Sequence, residues 1–199
     1  MGTREPLQPP VRVLWMEDKA GHELAMVASA VYLDGRFALD FATDASEALH
    51  LLALTDQERY PYQILVVDLD LPPGEQQDLI EVYQEVHHQG RTPMLGLYLL
   101  EYLLAGEGPL HQRVLQKPDS PLSWALNLLR KNIRNQTPPP RIGVFSIYAE
   151  MTKDRLRQLG LEDDVIIQKR VGMPRYELLN LLIRLAGWNE DDALIEDLW

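Results

Sequence analysis

Apolar residues come in two rhythms along the chain. Val11, Val13, Leu14 and Trp15 form a short run closed by Glu17 and Asp18, and Leu24, Val27, Ala28 and Val31 then recur at helical spacing, which predicts buried strand, loop, helix. Phe37 to Phe41 alternates after Gly35, and Asp44 with Glu47 three residues on forms a capping box that opens a helix through Leu52. Ile64 to Val67 is a third strand ending at Asp68, followed by Pro72, Pro73 and Gly74 and a helix carrying Leu79, Ile80, Val82, Tyr83 and Val86. The same grammar places strands at Met94 to Tyr98 and at Val114 to Leu115, with helical stretches at Leu99 to Leu104 and Leu122 to Leu129. The expected fold class is α/β, a doubly wound parallel sheet of flavodoxin-like (βα)5 type, in order 2-1-3-4-5.

Further divisions follow from composition. Residues 1–10 are polar and Pro-rich and read as a flexible N-terminus; residues 11–134 hold the five units; 135–140 end in three prolines and read as a stiff connector. Residues 141–188 predict a C-terminal (βα)2 extension: strand at Ile142 to Tyr148, helix at Thr152 to Leu159, strand at Val165 to Ile167, helix at Tyr176 to Leu185. This extension echoes the preceding half at an offset of about fifty residues, with Gln116-Lys117 against Gln168-Lys169 and PLSWALNLL against PRYELLNLL, which suggests a duplication. Residues 189–199 form an acidic tail with apolar positions suited to an amphipathic helix.

The 199 residues carry a net charge of -11 and no cysteine, which removes disulfide scaffolds, thiolate metal sites and Cys nucleophiles. Acidic balance with scattered basic residues argues against nucleic-acid binding, and no window reaches the ~20 apolar residues of a membrane span. A cytoplasmic protein is expected. There is no glycine-rich phosphate loop, no HExxH and no GxSxG.

In such a sheet, ligands sit outside the carboxyl ends of the strands. Glu17, Asp18 and Asp68 stand at two such ends, and carboxylates crowded in one crevice call for a cation, with an all-oxygen set suiting Mg²⁺. Lys117, held by Pro118 after the expected fifth strand, would bring an ammonium to the same place.

With Glu17-Asp18, the motif VVDLDLPPG around Asp68, FATDASEAL and Gln-Lys-Pro at 116–118, residues Val11 to Asn132 resemble the receiver domain of bacterial two-component response regulators. The resemblance implies that Asp68 accepts a phosphoryl group from a histidine kinase or small phosphodonor. It implies that Glu17, Asp18, Asp68 and the carbonyl of Asp70 hold Mg²⁺, and that Lys117 binds the phosphate. Tyr98 falls where a receiver carries a Thr or Ser switch residue, Leu99 replaces the usual small neighbour, and Pro73 and Gly74 depart from the family's loop. Ser146 and Lys169 resemble the Thr/Ser and Lys of a receiver but lie in the extension, where Ser146 reads as a plain strand serine. The expectation is a non-enzymatic switch acting through a protein output partner, with a homodimer through residues 94–132 or 141–187 possible. The alternative is a phosphorylation-independent pseudo-receiver adaptor. A Mg²⁺-dependent phosphate hydrolase is a weaker third, for want of a base beside Asp68.

Overall fold

The computed structural model describes residues 9–21, 24–53 and 62–188. The tail at 189–199 and most of the N-terminal stretch lie outside the described residues. Within them the chain is α/β, with a five-stranded parallel sheet of order β2-β1-β3-β4-β5. Elements run β1 (Val11–Met16), α1 (Ala25–Asp34), β2 (Phe37–Ala42), α2 (Ala45–Ala53), β3 (Ile64–Val67), α3 (Gln77–His88), α4 (Leu95–Leu100) with a π-helical turn (Glu101–Ala105), α5 (Gly108–Gln116), α6 (Pro121–Asn135), β4 (Arg141–Ser146), α7 (Lys153–Gln158), β5 (Ile166–Gln168) and α8 (Glu177–Ala186). The order is that of flavodoxin-like sheets.

The strands are near-continuous apolar runs because both faces are covered. One face carries Val13, Trp15, Val66 and Phe145 beneath α1 and α8; the other carries Leu14, Met16, Leu65, Val67 and Val144 beneath the remaining helices. Trp15 meets Phe145 edge-on with ring centroids 6.0 Å apart. No helix among the described residues is long and apolar enough to cross a membrane.

The fourth and fifth strands are not where the sequence pattern put them. Leu95 to Tyr98 is helical, as is Val114 to Leu115, and the two places beyond β3 are filled by Arg141–Ser146, which pairs with β3, and Ile166–Gln168, which pairs with β4. Residues 141–188 therefore complete the sheet rather than extend a finished one, and residues 94–135 form an all-helical insertion between α3 and β4. From Leu95 to Ala105 there is no β-branched residue, and Leu95 to Leu103 are buried without a break. A helix enclosed on all sides loses its amphipathic signature and reads as an apolar run, which a buried strand also does. In α5 the pair Leu110 and Val114, four apart, supplies a buried helical stripe. The duplication fails with this reassignment, since Gln116 ends a helix while Gln168 ends a strand, and Gly96-Leu97, which the same offset of about fifty residues sets against Gly143-Val144, is helical while its counterpart is in a strand. PLSWALNLL and PRYELLNLL share only the pattern of amphipathic helices.

The capping box at α2 is present: Asp44 accepts from the Glu47 N–H at 2.8 Å, and the Glu47 carboxylate reaches back to the Thr43 N–H at 2.7 Å. The Pro72-Pro73-Gly74 loop docks on this helix start. Ser46 donates to the Pro73 carbonyl, and Gly74, at φ 72°, lies so close to Asp44 that a Cβ would come within 2.2 Å of its carboxylate.

Candidate functional site

Parallel register brings the strand ends level. Met16 pairs with Val67 and Val67 with Val144, so Glu17 and Asp68 emerge side by side, and Ser146 ends β4 two residues beyond Val144. Ser146 pairs with Gln168 at the end of β5, which puts Lys169 at the same rim, and the Lys169 N–H donates to the Ser146 carbonyl at 3.0 Å. Residues 152 positions apart in the chain thus meet: the Lys169 ammonium donates to Glu17 at 2.6 Å and also to Asp68.

All three are enclosed, at 0% exposure for Glu17, 3% for Asp68 and 9% for Lys169. Burying two carboxylates together is costly, and the ammonium between them offsets that cost. Burial, reinforced by the neighbouring Asp68, outweighs the attraction of Lys169 and pushes the Glu17 carboxyl up to about 7. Carboxylate oxygens of Glu17, Asp18 and Asp68 lie within 4.8 Å of one another, a spacing and donor set that could hold a metal ion. Asp70 lines the same pocket, of about 560 Å³; its N–H donates to Asp68 at 3.3 Å, and burial, with Asp68 and Asp18 nearby, raises its carboxyl. Ser146 is fully buried, its hydroxyl accepting from the Tyr148 N–H at 3.2 Å.

Two expected site residues lie elsewhere. Lys117 follows helix α5, not a strand; its side chain is 44% exposed and pairs with Asp78 at 3.1 Å and Glu81 at 2.8 Å on α3. Tyr98 is buried within α4 and ends no strand, so it does not occupy a switch position. The cation at the crevice is Lys169 and the hydroxyl at the end of β4 is Ser146. The signal for both is present in the sequence, in the strand grammar of Ile142 to Ser146 and in Gln168-Lys169, but local pattern alone reads these as part of an appended unit because two strand-like runs precede them.

Comparisons of the chain with protein families, curated proteins and solved structures found no match.

Proposed function

We propose that the chain is a receiver-like phosphoacceptor switch in which Asp68 takes the phosphoryl group. The observation that carries this reading is the buried contact of Lys169 with both Glu17 and Asp68 at the carboxyl ends of β1, β3 and β5, with Asp18 beside them. That constellation also strengthens the resemblance of the Glu17-Asp18 and VVDLDLPPG motifs to a response-regulator receiver, since it supplies the lysine and, in Ser146, the hydroxyl that the family's pattern asks for.

In this reading an Asp68 carboxylate oxygen attacks the phosphorus of a phosphohistidine or an acyl phosphate. A P–O bond to Asp68 forms, the donor's P–N or P–O bond breaks, and the donor leaves with the electron pair. Lys169 then exchanges its contact with Asp68 for a phosphoryl oxygen, offsetting charge that would otherwise accumulate in a buried crevice. Ser146 stands at the end of β4, and turning its hydroxyl from the Tyr148 N–H toward the new group would report the modification. Glu17, Asp18 and Asp68 would hold Mg²⁺, which when bound supplies charge neutralisation to the transferring phosphoryl group. Output passes to a protein partner.

Intact-protein mass after incubation with acetyl phosphate and Mg²⁺ tests this reading. A gain of ~80 Da in the wild type and none in Asp68→Asn is expected, the mass of one phosphoryl group. No gain in the wild type favours the adaptor reading, for which the specific observation is that Lys169 already satisfies both buried carboxylates.

A further inference from the structure

The helical insertion touches the main chain of Asp68. The Gly96 N–H donates to the Leu69 carbonyl at 3.1 Å, and a Cβ on Gly96 would lie 1.9 Å from the Asp68 carbonyl oxygen and 2.9 Å from its carbon. Real Cβ atoms do not approach backbone so closely, so the start of α4 rests on the backbone of Asp68 and only glycine permits it. At its other end, the π-helical turn carries Glu101, 8% exposed, which accepts from Arg155 of α7 at 2.7 Å. Arg155 also donates to Glu107 at 2.7 Å, so one guanidinium grips both ends of the segment that leaves α4. Helix α7 follows β4, and the loop between them turns on Ser146, whose hydroxyl and carbonyl receive the Tyr148 and Ala149 N–H groups. The chain of contacts is closed: Asp68 to Gly96, Glu101 to Arg155, α7 back to Ser146.

π-Helical turns inside helices often mark functional sites, because the widened ladder is locally less favourable than the α-helix around it. Packed helices shift between discrete arrangements rather than bending continuously. We propose that α4 and its π-helical turn are a built-in relay, in which a change at Asp68 is felt at Gly96 and passed through the Glu101–Arg155 ion pair to α7. The proposal rests on Asp68 being the group whose state changes.

Hydrogen exchange on the full chain, read at residues 95–105 and 153–158, tests it in a two-by-two set: wild type, Asp68→Asn, Glu101→Gln and the double variant. Asp68→Asn is expected to change exchange in both segments at least fivefold on the wild-type background, and to leave 153–158 unchanged on the Glu101→Gln background. An equal response of 153–158 on both backgrounds, or no response on either, overturns the relay. Arg155→Gln should reproduce Glu101→Gln, keeping the test open if one variant folds poorly. The mass measurement above is separate: phosphoryl gain without coupling defeats the relay alone, and coupling without phosphoryl gain defeats the phosphoacceptor reading alone.

Discussion

Lys169 is the residue on which the crevice depends. With its ammonium removed, Glu17 and Asp68 remain as two buried carboxylates with no compensating charge. Lys169→Met is therefore expected to cost about 3–5 kcal/mol at pH 8, the usual cost of orphaning a buried charge, and less at pH 5 where a proton replaces the ammonium. Urea unfolding in chelator at the two pH values measures both. Glu17 gives a second pH dependence with a definite sign. Its folded carboxyl titrates near 7 against 4.5 when unfolded, so between those values the folded state holds a proton the unfolded state has released. Stability from this group is greatest below about pH 4.5 and falls as pH rises to about 7, by on the order of 3 kcal/mol. Subtracting the stability of Glu17→Gln from that of the wild type, without divalent ions, should reveal this downward slope. A flat difference between pH 4.5 and 7.5 would count against it.

At the scale of elements, the boundaries of β1, β2, β3, α2, α3 and α8 were legible because their patterns are unambiguous: apolar runs closed by Glu or Asp, alternation after a Gly turn, a capping box, helical stripes. The reading failed at Met94 to Tyr98 for a physical reason, since TPMLGLY is uniformly apolar after a proline and periodicity cannot separate a buried strand from a buried helix. The strand beside β3 was settled by competition for a single open edge, which Arg141–Ser146 fills with Gly143 and Phe145 facing α8 and the Trp15 side of the core. Phe145 is fully buried, so Phe145→Ala is expected to lose about 3–5 kcal/mol in denaturant unfolding. At Gly143 an added Cβ would meet Leu185 at 2.8 Å and Leu181 at 3.2 Å, so Gly143→Val should overpack the β4–α8 contact and cost about 1–3 kcal/mol. Effects this large are not expected of an appended unit whose loss leaves the main core intact.

For the whole molecule, the reassigned strands make a stronger demand. A chain ending at Asn135 would have three strands, an open edge at β3 and the Trp15 face stripped of α8. It is expected to show no cooperative thermal transition by circular dichroism, whereas a self-sufficient unit in residues 11–134 would melt cooperatively. The chain by itself determined the α/β class, the first three strands and the acidic residues at the ends of β1 and β3, because these follow from local periodicity and from carboxylates that close apolar runs. Tertiary structure alone decided which lysine joins them and which hydroxyl ends the strand beside β3. Lys169 reaches Glu17 and Asp68 across a hundred or more positions of chain, Ser146 ends the strand beside β3, and both placements depend on which segment wins the free edge of β3. Edge competition is a contest between distant segments for the same hydrogen bonds and the same apolar cover, so no single window of sequence contains its result.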